Sequence, residues 1–465
     1  MLRVGKKKFI SGSILLIVLL IIFFYVFNSE HINGRSALII TGFILIGILS
    51  LVNIVKDSRI ISANKFFWYF QFVFMSIAPL CQYLSGYYPW RVKIDDSDIE
   101  IAQLIVVFWS VLYRLFYHRT KLKVKNHSVG GRIRNYFTAD RYFSPICLTG
   151  IFVCTVFGFA LLIRMIGFYD LFFRSTNTLD IENSTINFVV KKFLTALPAM
   201  ACAVYLMVIR KKKSAPMVVG LVVLIFATVC SNFPTSTTRY WMGTIFVGIM
   251  FVAMIRRKES RLVDYGIIFG LLVAFPLFYW FKTVTVTDFV GGSVKFSGIT
   301  ESFNTVDFDA FTLVARSVRY VRENGITWGK QLINIILFFI PRSIWESKPI
   351  TTNVLIASSQ NQTFTNLSCP LPAEAYVNFG WIGVPVYCLV YAKFNYYIDD
   401  IFWNKSSDDD ISVINMAYPF LCVITLYINR GPLQPSFIQT IALVLPLIVI
   451  ILFSKRRKKK EQHEK

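Results

Sequence analysis

Two groups of arginines lie in or beside polar connectors that separate long apolar segments. One group belongs to a single long polar loop: Arg316, Arg319, Arg322 and Arg342. The other lies at or near the ends of apolar segments: Arg164, Arg174, Arg239 and Arg430. A guanidinium group stays charged at physiological pH and can bind two phosphate oxygens at once. The set therefore predicts a site for an anionic group just outside a bilayer, such as a diphosphate on a polyprenyl lipid. The competing interpretation is that each arginine reaches lipid head groups.

A carboxylate that could act as a general base lies where the long loop meets the next apolar segment. Glu374 is followed at short spacing by Tyr376 and Asn378, an aromatic ring and an amide suited to sugars. A sugar hydroxyl that attacks an anomeric carbon benefits from a base that accepts its proton. Asp309 and Glu346 are alternative bases, and an ion pair with a nearby arginine is the competing interpretation of Glu374.

Metal chemistry has little support in the sequence. The long loop contains no dense cluster of aspartates, the chain has no C-x-x-C pair, and its four histidines are scattered. Zinc sites need such ligands at close spacing. We therefore predict chemistry without a metal or a cofactor, in which arginine stabilises the charge that develops on a leaving diphosphate.

The elements that must position these residues are membrane-spanning helices. Hydrophobic residues make up 55% and charged residues 16% of the 465 residues, and a helix needs about 20 apolar residues to cross a bilayer. We count twelve candidate spans, at 9–28, 36–55, 66–86, 99–117, 145–168, 193–209, 216–233, 240–255, 265–284, 377–395, 411–428 and 437–454. They lack the alternation of strands, so the sequence predicts an all-α, polytopic integral membrane protein. The run at 9–28 has no small-residue cleavage site, and we interpret it as an uncleaved anchor.

Positive charge predicts how the protein is oriented in the membrane. The net charge is +23, and runs of Lys and Arg fall in alternate connectors, at 3–8, 56–65, 119–141, 210–213, 256–261 and 455–460. Basic connectors stay in the cytoplasm, so both termini are predicted there and the long loop is predicted outside. We interpret the charge as a topology signal and a contact for anionic membrane lipids, and not as a nucleic-acid-binding surface.

Four regions follow from this pattern. They are nine spans with basic cytoplasmic loops over 1–284, the large extracytoplasmic loop over 285–376, three spans over 377–454 and a basic cytoplasmic tail over 455–465.

Two short helices are expected inside the large loop. The stretch 308–323 has the apolar stripe of a surface helix, which Asp307 would cap. We expect its apolar face on the membrane, with Arg316 and Arg319 presented outward. The apolar stretch 331–340 is too short to span, which predicts a re-entrant or interfacial helix. Trp345, just beyond it, suits the head-group region.

Three local patterns resemble the O-antigen (oligosaccharide repeat-unit) polymerases of the Wzy type. The first, at 339–349, reads FIPRSIWESKP. The second, at 374–380, reads EAYVNFG and is followed by WIG. The third is the turn that holds Arg239. The number of spans and the large loop between late spans are also similar. The arrangement of spans and loops is therefore similar over most of the chain, whereas the amino-acid sequence is similar only in these short stretches.

The resemblance implies a bacterial inner-membrane glycosyltransferase with a C-type (GT-C) helical fold. Such an enzyme transfers a growing glycan from undecaprenyl diphosphate to a sugar of another lipid-linked repeat unit. Carried over position by position, Arg239 and Arg342 would contact the diphosphate and Glu374 would lie in the catalytic pocket. The resemblance leaves open a chain-length regulator as a protein partner.

Two other functions compete with this one. An O-antigen ligase would attach a finished glycan to another acceptor, but the histidine sometimes invoked for ligases is absent from the large loop. A flippase for lipid-linked oligosaccharides would need charge along a cavity within the spans, where only Arg114, Arg164 and Lys393 are expected. The position of the polar residues in one loop favours an enzyme.

Overall fold

The computed structural model describes residues 35–126, 131–173, 185–254, 261–275, 302–407, 410–452 and 454–456. Within these ranges the chain is mostly helical, which confirms the predicted all-α class. The predicted span 9–28, Arg174, the end of the span 265–284, the start of the large loop and most of the tail 455–465 lie outside the described residues.

The helices of the described ranges are numbered in chain order. They are α1 (Ala37–Lys56), α2 (Ala63–Phe72, continued by a π-helical turn at Val73–Ile77 and by Ala78–Ser85), α3 (Asp96–Asn126), α4 (Gly131–Thr138), α5 (Pro145–Ile166), α6 (Thr185–Lys211), α7 (Ala215–Ser231), α8 (Arg239–Met254), α9 (Arg261–Phe269, continued by a π-helical turn at Gly270–Ala274), α10 (Ala310–Asn324), α11 (Lys330–Ile336), α12 (Thr352–Ser359), α13 (Leu371–Lys405), α14 (Val413–Arg430) and α15 (Leu433–Leu452). Short 3-10 turns lie at Pro89–Arg91, Tyr169–Leu171 and Val306–Phe308.

Seven of the described helices are long and apolar enough to cross a membrane: α1, α3, α5, α6, α13, α14 and α15. The predicted spans near residues 216, 240 and 265 correspond to the shorter apolar helices α7, α8 and α9, and the span 66–86 corresponds to α2, which ends at Ser85. Exposed apolar side chains such as Phe157 on α5 and Val219 on α7 cover the outer faces, as expected where lipid replaces water. These helices indicate a multi-pass membrane protein.

Connectors that the charge pattern places on one side lie together at one end of the bundle. The strands β1 (Arg141–Tyr142) and β2 (Lys455–Arg456) pair antiparallel and join the third basic connector to the start of the tail. Asp140 accepts hydrogen bonds from Lys211 (3.0 Å) and from the Ile411 backbone N–H (2.8 Å). Predicted outer connectors meet in other contacts, such as the 2.6 Å ion pair between Arg239 and Asp307. The alternation of connectors is therefore present in the fold, and which end faces the cytoplasm stays a prediction.

The helix expected at 308–323 is present as α10, but its predicted placement is wrong. It is not a surface helix, because it packs against α3 and α13 and is buried from Ala310 to Val318 without interruption. Arg316, expected to point outward, is only 2% exposed. Asp307 does not cap the helix, since the N-cap residue is Asp309 and its side chain makes no capping bond. The helix ends at Gly325, whose φ of +78° favours glycine.

The second short helix and the last boundary of the loop also differ from expectation. The stretch expected at 331–340 forms α11, which has only seven residues and is followed by turns from Leu337 onward. Helix α13 starts at Leu371, six residues before the predicted span at 377–395, and is interrupted at Phe379 and Gly380. The large loop therefore ends in a buried helical turn, and the catalytic candidate Glu374 belongs to that turn.

Candidate functional site

Glu374 lies in the first turn of α13 and is almost completely buried, at 2% exposure. One carboxylate oxygen, Oε1, accepts a hydrogen bond of 3.0 Å from the backbone N–H of Leu433, the first residue of α15. The other, Oε2, accepts a hydrogen bond from the Thr352 hydroxyl. A carboxylate at a helix N-terminus is stabilised by the unpaired N–H groups and the helix dipole. In the described part of the chain no lysine or arginine pairs with Glu374, so the ion-pair interpretation is not what the structure shows.

The residues after Glu374 form a tight break in α13. The Asn378 amide donates to the Glu374 carbonyl oxygen (2.8 Å), while the Tyr376 ring packs edge-on against Trp381 at 5.6 Å. Gly380 has a φ of +60°, a conformation that side chains disfavour. A Cβ on Gly383 would lie 2.2 Å from the Ala375 carbonyl oxygen. The glycine spacing in this stretch thus lets the helix restart directly against the turn that carries Glu374.

Arg239 and Arg430 come together with the two aspartates at the start of α10. Arg239, the first residue of α8, pairs with Asp307 at 2.6 Å. Arg430, at the end of α14, pairs with Asp309 at 2.9 Å and donates to the Asp307 carbonyl oxygen at 3.1 Å. The guanidinium of Arg430 also lies over the Tyr240 ring, 5.0 Å from its centre. The structure therefore brings the two arginines into one cluster, in which each already has a carboxylate partner.

Asp309, the first alternative base, is fully buried and occupied by donors. Besides Arg430 it accepts hydrogen bonds from the Trp90 indole (2.9 Å) and from the Ser368 N–H (3.3 Å). A charged partner such as the Arg430 guanidinium binds a carboxylate more strongly than the neutral donors around Glu374 do. These contacts make Asp309 a residue that fixes the loop against the helices.

Arg342 lies in the turns after α11 and shares them with a second cation. Arg342 Nη1 donates to the Lys348 carbonyl oxygen (3.0 Å). The Lys348 ammonium is buried and donates to the carbonyl oxygens of Phe338 and Ile340, both at 2.8 Å. Burial lowers the pKa of Lys348, and the positive charge of Arg342 lowers it further. No carboxylate of the described residues is paired with either side chain. This segment, which we name the cationic loop (residues 337–349), carries a net positive charge, since it has two cations and one carboxylate, Glu346.

The cationic loop is flanked by exposed apolar side chains. Ile336, Phe339 and Ile344 are exposed by 62%, 59% and 79%, and Trp345 is half-buried. Apolar and aromatic side chains next to cations are typical of segments at a membrane–water interface. The pattern suits the predicted contact with lipid head groups.

Two contacts connect α11 and the cationic loop that follows it to the helix that binds Glu374. Asn334 of α11 donates to the Gln434 side chain at 3.1 Å, one residue beyond Leu433. The ring of Phe338 lies edge-on against Phe437 of α15, with 6.1 Å between ring centres. The start of α15 thus binds the carboxylate through Leu433 and contacts α11 and the cationic loop through Gln434 and Phe437.

The remaining predicted arginines are not part of this arrangement. Arg319 forms an exposed ion pair with Glu323 (2.9 Å), and Arg316 faces a separate cavity. Arg164 is exposed in the last turn of α5, and Arg174 lies outside the described ranges.

Sequence reasoning missed several residues that define the site. The Thr352 hydroxyl donates a hydrogen bond to Glu374. The Lys348 ammonium donates to a carbonyl oxygen within the cationic loop. Cys369 is fully buried beside Glu374, and its thiol pKa is raised by burial and then by that carboxylate. Its backbone N–H donates to the Arg430 carbonyl oxygen at 2.9 Å. The one signal in the sequence that could have indicated Lys348 and Cys369 is their position. Lys348 lies close to Arg342, and Cys369 lies close to Glu374.

Comparison with known proteins returns no match to a family model, to a curated protein or to a solved structure.

Proposed function

We propose that the chain is a polymerase of lipid-linked oligosaccharide repeat units, with twelve spans and a GT-C-like fold. It would lie in a bacterial plasma membrane, with both termini in the cytoplasm and the site on the outer face. Its substrates would be glycans on undecaprenyl diphosphate, and it would use neither metal nor cofactor. The observation that supports this proposal is the start of α15, which binds the carboxylate of Glu374 through Leu433 and contacts α11 and the cationic loop through Gln434 and Phe437.

The carboxylate of Glu374 suits the attack by the acceptor sugar, and the cations of the cationic loop suit the departure of the diphosphate. The oxygen of an acceptor sugar hydroxyl attacks the anomeric carbon of the donor glycan and forms the new glycosidic bond. The bond between that carbon and the diphosphate oxygen breaks, and its electron pair leaves with the diphosphate. Arg342 and Lys348 would stabilise this negative charge, and Glu374 would accept the hydroxyl proton.

The structure of the cationic loop fits a lipid-linked diphosphate better than a free anion. Its exposed apolar side chains would place Arg342 at the depth where a polyprenyl chain meets its head group. The ion pairs of Arg239 and Arg430 with Asp307 and Asp309 give these two arginines a positioning role unless the substrate displaces the carboxylates. Arg342 is the stronger candidate for diphosphate contact because it has no carboxylate partner among the described residues.

Reconstitution separates this function from its alternatives. Purified protein in liposomes receives lipid-linked repeat units on the face of the cationic loop, with a chelator and without nucleotide, and the products are resolved by size. We expect a ladder of longer glycans from the wild type, none from Arg342→Ala and a weak ladder from Arg342→Lys, because lysine cannot make the bidentate contact. Lys212→Gln, which removes an exposed charge at the opposite end, should resemble the wild type.

Other outcomes of this assay would reject the polymerase. Transfer of one glycan to a different acceptor without a ladder would support the ligase. Repeat units that cross the bilayer without a new glycosidic bond would support the flippase. A strict need for added divalent metal would reject the metal-free mechanism.

A further inference from the structure

A cavity of about 160 Å³ lies beside α10, and none of its lining residues is Glu374, Arg239 or Arg342. Its polar lining comes from the start of α3 and the segment before it, from α10 and from the loop after α12: Lys93, Asp98, Arg316, Arg319, Gln360 and Gln362. A cavity of this size holds on the order of ten water-sized atoms. That is the scale of one sugar ring and too small for a polyprenyl diphosphate.

Arg316 supplies a buried and incompletely bonded cation to this cavity. Its Nε donates to the Gln360 side-chain oxygen (2.6 Å), and its Nη1 donates to the Gln362 side-chain oxygen (3.0 Å). Gln360 returns a hydrogen bond of 3.2 Å to the Arg316 carbonyl oxygen. The Nη2 atom is buried and has no hydrogen-bond partner in the described part of the chain. Buried polar groups are rarely left unpaired, so a ligand or water is expected at Nη2.

The carboxylates around the cavity are already engaged with other cations. Asp98 pairs with Arg322 at 2.6 Å, and Arg319 pairs with Glu323 on the surface. Asp309 acts on Arg316 through space, while its oxygens bond Arg430 and Trp90. Burial lowers the pKa of Arg316 to about 10, against the opposing effect of Asp309. The neutral amides of Gln360 and Gln362 do not balance the charge of Arg316, and Lys93 adds a second cation to the lining, so the cavity favours an anion.

The two segments that wall the cavity also carry a pair of stacked aromatic rings. Trp90 and Phe364 lie with ring centres 4.9 Å apart and 22° between their planes. Trp90 precedes the lining residue Val92 by two positions, and Phe364 follows Gln362 by two. The two rings are not part of the lining and stack on each other, so they hold the two segments together, while the amides and the guanidinium are the groups that can bind a polar, negatively charged sugar ring.

We propose that this cavity is a subsite for one acidic sugar, whose carboxylate pairs with Nη2 of Arg316 while its hydroxyls bond Gln360 and Gln362. The source of that sugar, a lipid-linked glycan, rests on the proposed function; the binding of the acidic sugar itself does not. The subsite would select repeat units that contain an acidic residue.

The test is a binding titration of the full-length protein in detergent micelles, followed by saturation-transfer NMR. The probes are D-glucuronate, D-glucose as its neutral counterpart, and inorganic phosphate. For a ligand of this size we expect an affinity on the order of 1 mM for glucuronate and at least about tenfold weaker binding of glucose. Arg316→Gln should weaken glucuronate binding by about tenfold or more, whereas Lys212→Gln should not change it.

A second variant keeps the test decisive if Arg316→Gln fails to fold. Lys93 is exposed, so Lys93→Glu should preserve the fold and weaken glucuronate binding severalfold through charge repulsion, with glucose unchanged. Equal affinity for glucuronate and glucose, or no effect of either variant, would overturn the subsite. Tighter, Arg316-dependent binding of phosphate would assign the cavity to a phosphate group and overturn the sugar.

Elongation assays distinguish the subsite from the proposed function. Arg316-dependent glucuronate binding by a protein that lengthens no glycan would leave the subsite intact and remove the polymerase. Conversely, a protein that lengthens glycans but does not bind glucuronate would keep the polymerase and remove the subsite.

Discussion

Arg430 and Asp309 form an ion pair of 2.9 Å that fastens the start of α10 to the end of α14. Asp309 is fully buried, and Arg430 also donates to the carbonyl oxygens of Val306 (3.0 Å) and Asp307 (3.1 Å). A buried pair adds little net stability compared with apolar packing, but breaking one is costly. The pair therefore fixes the position of the loop, and with it the neighbouring pair of Arg239 and Asp307.

Asp309→Asn should destabilise the protein strongly. The asparagine would leave Arg430 buried without its charge partner, for which we expect a loss of about 3–5 kcal/mol in the free energy of unfolding. Denaturant titration in mixed micelles measures this loss. Glu346→Gln, at an exposed position, is the matched control and should stay within about 0.5 kcal/mol of the wild type. A variant as stable as that control would mean that Asp307 alone balances Arg430.

The alternation of connectors could be predicted because it is a property of the sequence alone. Each basic run marks one end of a span, and the pairing of β1 with β2 joins two such runs at one end of the bundle. Helix α10 was also predictable within one or two residues, because its apolar stripe and Gly325 are local signals.

The placement of α10 could not be predicted, because it depends on residues far away in the chain. Arg316 is buried because Gln360 and Gln362, more than forty positions later, provide oxygens for its N–H groups. Likewise the partner of Glu374 is a backbone N–H at Leu433, 59 positions later. A helical wheel gives the polar face of a helix, but whether that face meets water or buried amides is decided by tertiary structure.

Gly383→Ala should disrupt the turn that carries Glu374. The new Cβ would lie 2.2 Å from the Ala375 carbonyl oxygen, a backbone atom that cannot move without shifting the helical turn, so we expect overpacking of about 1–3 kcal/mol or more. Gly243→Ala on α8 is the control, since its Cβ would meet nothing within 4 Å and alanine favours a helix. Thermal scanning of the purified variants measures the difference. Equal melting temperatures would show that the break in α13 is not tightly packed.

Cysteine labelling tests the orientation of the two ends. Ser347 in the cationic loop and Ser407 in the connector after α13 are both exposed and lie on opposite predicted faces. A membrane-impermeant maleimide should label Ser347→Cys in intact cells and Ser407→Cys only after lysis, with the parent protein as the control for native cysteines. The reverse pattern would place the site in the cytoplasm and contradict a reaction on the outer face.

Glu374→Gln should separate catalysis from binding. Glutamine keeps an oxygen that can accept the Leu433 N–H and an amide that can bond the Thr352 hydroxyl, so the fold and the affinity for donor should persist. Loss of the proton acceptor should lower kcat by about 10²–10⁴-fold with little change in KM.

Single-turnover elongation with lipid-linked repeat units measures the rate, and Glu323→Gln, an exposed change in α10, serves as the control. A fully active Glu374→Gln variant would make Glu374 a group that only joins α12, α13 and α15. The base would then be sought at Glu346, because it is exposed within the cationic loop, whereas Asp309 is held in an ion pair with Arg430 and accepts two further hydrogen bonds.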